Sequence, residues 1–283
     1  MKRKIIQLAK RTLVLSLPAD WTKKHDLKKG DELHIQEKQN HLILKTTSKL
    51  TPYEITIKAP ESSLIKQILA DLYIRGYDKI TINYKSPQVL DHILKEQLIG
   101  FEIVDQEENK VLLKNIITAD IQEFDTVLRR LFLLTKQITQ QATPHLQGQA
   151  TSILPLEVQS NKLSNYSRRL LNKHGYEPSY KVNPLYTIIT DLERLGDIYK
   201  YLVKNKVENT QAREVFEQIS ELYDSIYKQC YKYNQTEIEK IHQNRSKLLD
   251  QAGNIQNPML KHFALAATRQ TCHLLGSIIS MNA

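Results

Sequence analysis

The chain has 283 residues, 41% hydrophobic and 25% charged, with a formal net charge of +9. That length allows two or three domains with cores of their own, and the composition is that of an ordinary globular protein. No run approaches the roughly 18 consecutive apolar residues of a membrane span. Cys230 and Cys272 are too far apart for a disulfide framework or a CxxC metal knuckle and read as buried free thiols.

The positive charge is unevenly spread. Residues 1–50 carry 12 Lys and Arg against 5 Asp and Glu, residues 51–118 carry 8 against 10, and the remainder 20 against 16. A basic segment joined to a nearly neutral body points to an anionic partner, nucleic acid first. The opening MKRKIIQLAKRTLVLSLP has the basic head of a signal peptide. Gln7, Lys10 and Arg11 interrupt its apolar run, however, and no small-residue cleavage site follows, so the chain reads as cytoplasmic.

In chain order, Arg3–Leu8 and Thr12–Leu17 read as strands and Pro18–Leu27 as a short helix with proline in its first turn. A Gly30–Asp31 turn leads to strands over Glu32–Glu37 and His41–Lys45. So small a unit cannot bury its strands alone and needs a partner. Residues 51–117 then read β-α-β-α-β-β, a small α/β unit on one sheet that serves as a linker. From 119 apolar residues recur every three or four positions in six blocks, near 120–143, 155–174, 184–206, 210–233, 235–252 and 258–281. Six helices with short connections predict a bundle. LERLGDIY (192–199) and CHLLGSII (272–279) align Gly196 on Gly276, and SRRLLN (167–172) aligns with RSKLLD (245–250), so the helices read as two three-helix repeats. The fold class expected is multidomain α+β, with segments 1–48, 51–117 and 119–283.

The stretch RKIIQLAKRTLVLSLPADWTKKHDLKKGDELHI…HLILK resembles the AbrB/MazE/SpoVT swapped-hairpin DNA-binding family. Its basic strand, apolar strand ending in Leu-Pro, short helix, GD turn and final hairpin follow the family's order; Ala9 stands where that family often has glycine. The resemblance implies a homodimer in which each chain completes the other's core. Lys2, Arg3, Lys4, Lys10 and Arg11, with Lys23 and Lys24 behind them, would then meet the phosphate backbone of double-stranded DNA, a contact that supplies affinity without base reading.

The helical part resembles the PhoU family, built of two three-helix repeats, through DLERLGDIYKYL (191–202). Glu193 and Asp197, four residues apart, share one helical face and need a positive charge between them. In that family such motifs are metal-binding clusters, so an iron, zinc or magnesium ion held with Glu157 or Asn161 is one expectation. The other is neutralisation by Arg168, Arg194 or a lysine. The second repeat offers only His273 and Ser277 at the matching positions.

Together the two resemblances imply a transcriptional regulator of phosphate uptake and homeostasis, as in archaeal proteins of this composite kind, with the bundle as sensor or docking module. The competing reading is a non-DNA interaction protein that docks a phosphate transporter or signalling partner and uses its N-terminal segment only to dimerise. An enzyme is not expected: there is no phosphate loop, GxGxxG or nucleophile elbow, and none of the nine histidines sits in a HExxH-like or triad-like context.

Overall fold

Alternating apolar residues form strands as far as Asn115, with three short helices among them, and three-and-four spacing forms helices in the rest. A computed structural model describes residues 2–9, 11–38, 41–46, 53–95, 98–117, 120–148, 152–205 and 210–282. These residues form a mixed α+β chain of two compact units, Met1–Tyr53 and Glu54–Ala283. No described helix is long and apolar enough to cross a membrane.

In the first unit β1 (Ile6–Leu8) pairs antiparallel with β2 (Thr12–Val14), and β3 (Leu33–Lys38) with β4 (His41–Thr46). The two hairpins are separate two-stranded sheets, with the short helix α1 (Ala19–Lys24) between them in sequence. The first hairpin is shorter than the expected Arg3–Leu8 and Thr12–Leu17. A strand extends only where a neighbour accepts its hydrogen bonds, and among the described residues of this unit the ladder runs only from Ile6↔Val14 to Leu8↔Thr12. No described residue of this unit is buried, and Ile6, Leu8, Leu13, Leu15, Ile35 and Leu42 are each more than half exposed. Ala9 turns the first hairpin with φ 60°, a left-handed conformation that a Cβ disfavours by about 1 kcal/mol.

The second unit opens with one four-stranded sheet, β5 (Glu54–Lys58), β6 (Lys79–Asn83), β8 (Lys110–Asn115) and β7 (Phe101–Glu107) in spatial order. β5 and β6 are parallel through the crossover helix α2 (Leu64–Ile74), whereas β6–β8 and β7–β8 are antiparallel. Ile80 and Ile82 alternate inward on β6 and meet Ile65, Leu69 and Tyr73 of α2, with Val89 and Ile93 of α3 (Pro87–Lys95) completing this core. Six helices follow, close to the expected bounds: α4 (Phe124–Ala142), α5 (Leu154–His174), α6 (Val182–Lys204), α7 (Thr210–Tyr231), α8 (Gln235–Gly253) and α9 (Pro258–Asn282). α4, α5 and α6 pack on one another, as do α7, α8 and α9, and α6 lies along α9 where the groups join. The stripe Leu185, Ile188, Ile189, Leu192, Leu195, Tyr199 and Leu202 makes α6 the spine of this second core.

The α/β segment, expected as a domain of its own, belongs to the same unit as the bundle. The joint is Arg169 of α5, 1% exposed. Its Nη1 donates to the carbonyls of Tyr73 and Tyr77, each at 2.7 Å, and its Nη2 to Asp78 Oδ1 at 2.6 Å. The guanidinium also lies over the rings of Tyr73 and Phe101, 4.8 and 5.2 Å from their centroids. Asn172 donates to Ile74 O at 2.9 Å and Lys173 to Asp78 at 2.6 Å, so α5 caps the C-terminal end of α2. Gly76 makes that approach possible: its φ is 96°, and a Cβ there would meet Lys173 Cγ at 2.8 Å. Burial lowers the pKa of Arg169, against the pull of Asp78, yet a guanidinium stays charged at any accessible pH.

Two outcomes are expected. Arg169→Ala removes a buried charge from three acceptors and should cost about 3 kcal/mol or more in urea unfolding of the full chain. Ala9→Gly should raise the stability of the N-terminal unit by roughly 1 kcal/mol, seen as greater amide-exchange protection there.

Candidate nucleic-acid interface and carboxylate network

Lys2, Arg3, Lys4, Arg11, Lys23 and Lys24 are all exposed, while Lys10 lies outside the described residues. The register Ile6↔Val14 and Leu8↔Thr12 puts Arg11 at the turn end of the first hairpin and Lys2–Lys4 at the opposite end. Lys23 and Lys24 occupy the last turn of α1, where the helix C-terminus favours positive charge. Trp21 is half-buried against the His25 ring, 5.2 Å between centroids. One chain therefore presents several separated cations around exposed apolar strands and not a single basic patch. Lys28, by contrast, pairs with Asp26 at 3.3 Å.

The four candidate metal ligands divide. Glu157, buried on α5, accepts hydrogen bonds from Asn161 Nδ2 and Lys200 Nζ, both at 2.8 Å. Lys200 also donates to Asp197, so its ammonium bridges Glu157 and Asp197 between α5 and α6. Glu193 is held elsewhere, by Arg168, whose guanidinium also reaches Thr190 Oγ1 at 3.3 Å and Asn165 Oδ1 at 3.4 Å. Burial works against charge on Lys200, but its hydrogen bonds to Asp197 and Glu157 outweigh burial and hold its pKa above the ordinary lysine value. A lysine and an arginine thus supply the positive charge that this face needs. As arranged, the four residues do not fit a divalent ion: the ammonium stands between two of the carboxylates and Glu193 is bonded to a third group. Among the described residues no three His, Cys, Asp or Glu side chains are grouped for a metal.

Asp191, in the same motif, is more deeply buried than Glu193 or Asp197, and the carboxylate spacing overlooks it. Its position was readable, because 191 falls on the stripe of Ile188, Leu192 and Leu195. Oδ1 accepts from Gln270 Nε2 of α9 at 2.7 Å, while Oδ2 has no hydrogen-bond partner among the described residues. Burial pushes its pKa above the ordinary 3.8, against Gln270, His273 and Arg194, which lower it. His273 and Ser277 line the shallow cleft beside it. Both cysteines are free and partly buried; burial raises both thiols, Cys230 to about 11.

Comparison with protein-family models, with curated proteins and with solved structures gives no match for this chain.

Lys200→Met should leave the buried Glu157 without its cation and lower stability by about 3 kcal/mol, measured by chemical denaturation at pH 7. Asp191 has the opposite sign. A carboxyl whose folded pKa lies above its unfolded value costs stability as pH rises through the interval between them. Asp191→Asn should therefore be more stable than wild type at neutral pH and lose that advantage as pH falls toward 4, in denaturation series from pH 4 to 7.

Proposed function

We propose that the protein is a homodimeric, DNA-binding transcriptional regulator that couples phosphate status to gene expression, with an AbrB/MazE/SpoVT-like head and a PhoU-like helical region. The observation that carries the reading is the N-terminal unit, which combines exposed cations with apolar strands that the unit itself leaves uncovered. Burying each such Leu or Ile gains about 1.5–3 kcal/mol, so a folded head requires a partner surface. A second copy supplies one: two hairpins from each chain interlock, and the apolar positions of β1–β4 turn into a shared core.

In that dimer, Lys2–Lys4 at one end of the first hairpin and Arg11 at the other double into an array. Such an array spans successive phosphates of a duplex in a way one chain's scattered charges do not. Phosphate contacts of this type give affinity and orientation, and base reading falls to other groups. The packing of α4–α6 and α7–α9 as two groups of three supports the resemblance of the helical region to a two-repeat bundle. Its role in the proposal is to receive the phosphate signal, from a ligand or from a docked transport protein. The positive charge of its first repeat comes from Lys200 and Arg168, so the proposal needs no metal there.

Full-length protein should sediment as a dimer at micromolar concentration and bind duplex DNA with affinity that falls steeply from 50 to 200 mM salt. Arg3→Ala, Lys4→Ala and Arg11→Ala together should weaken binding to all sequences and flatten the salt slope by about one per lost phosphate contact. Leu13→Asp with Leu15→Asp should yield monomers that no longer bind. Wild-type monomers, or undiminished affinity in the triple variant, would leave the alternative of a non-DNA docking protein.

A further inference from the structure

A cleft of about 750 Å³ lies in the second half of the bundle, where the end of α7 and the first half of α8 meet the start of α4. Its size lies within the range of about 300–1,000 Å³ typical of small-molecule sites. Among the described residues that line it, four are basic, Arg129, Lys228, Lys232 and Lys240, and one is acidic, Glu237. Two of the four are compensated: Lys240 pairs with Glu237 at 2.7 Å, and Lys228 with Asp224 at 3.0 Å. Arg129 and Lys232 are exposed and have no acidic partner among the described residues. Asn234, which caps the N-terminus of α8 by accepting from Glu237 N, lines the same cleft, so the positive end of a 19-residue helix stands behind it.

Beside these charges stands a fixed aromatic surface. Tyr231 is 53% exposed, yet its ring is braced edge-on by Tyr227, 5.4 Å away at 74°, and by Phe132, 6.5 Å away at 72°. Tyr227 is itself seated on Phe132 at 5.2 Å. Tyr231 is the most exposed ring of this cluster and lines the cleft; partial burial raises the pKa of its hydroxyl, which also feels both Arg129, which lowers it, and Asp125, which raises it. A solvated lysine face needs no immobilised tyrosine, and an aromatic packing cluster needs no uncompensated cations. A ligand with a flat aromatic part joined to several negative charges uses both.

We propose that this cleft binds a nucleoside polyphosphate, its base stacked on Tyr231 and its phosphates drawn to Arg129, Lys232 and the α8 N-terminus. The site stands on the bundle alone and holds whether or not the N-terminal unit binds DNA.

Calorimetric titration of the full chain at low salt, with ATP, adenosine and inorganic tripolyphosphate as separate probes, tests it. ATP should bind, with adenosine and tripolyphosphate each at least about tenfold weaker, because each keeps only half of the recognition. Tyr231→Ala should cost about tenfold in ATP affinity, while Tyr231→Phe, which keeps the ring, should retain it. Arg129→Ala with Lys232→Ala should weaken ATP by a similar factor and leave thermal melting within a few degrees of wild type, since neither side chain is buried. Those variants also separate this cleft from polyphosphate held by the basic N-terminal unit, which they do not touch. No ATP binding, ATP binding indifferent to these substitutions, or tripolyphosphate binding as tightly as ATP would overturn the proposal.

Discussion

A charged group with almost no contact with water ties the larger unit together. Arg169 leaves α5, crosses to the end of α2 and spends its donors on Tyr73, Tyr77 and Asp78 while its plane lies against two aromatic rings. Such a group is tolerated only when each partner is in place. The position of α2 on its sheet, the glycine turn at 76 and the run of α5 are therefore mutually required. Two hydrophobic cores, both touched by Tyr166, are joined further through this polar contact and its neighbours Asn172 and Lys173.

The N-terminal unit is organised by the opposite principle. Its described residues include no core, and its strands pair only within their own hairpins. Where the larger unit encloses its polar contacts in apolar surroundings, this one leaves apolar residues outside and surrounds them with exposed cations. The chain thus pairs a unit with two buried cores and a unit whose described residues have none.

Helices were the most legible part of the sequence. The stripe from Leu185 to Leu202 and the breaks at Asn234 and Pro258 place α6, α8 and α9 within a few residues, because periodicity and capping are local signals. Asn234 caps α8 through Glu237 N, and Asn257 caps α9 through Met259 N and Leu260 N. What escaped the sequence was pairing over distance. Nothing near Arg169 in the chain announces Asp78, 91 residues away. Glu193 and Asp197 were legible as a shared face in want of positive charge, but their separate partners, Arg168 and Lys200, are set by how α5 and α6 lie together. Ser160, Ser164 and Ser167 turn a polar stripe of α5 inward, against the pattern that marks burial.

The ammonium that joins Glu157 to Asp197 differs from a bound ion in one respect with wide reach. It is carried on the same helix as Asp197, three residues away, so its local concentration is set by a short covalent stem and not by the surrounding medium. A metal-filled site reports the supply of its metal and exchanges its occupant. A lysine-filled one is always loaded and always carries a single charge. The junction of α5 and α6 is accordingly held by charges that the chain itself carries.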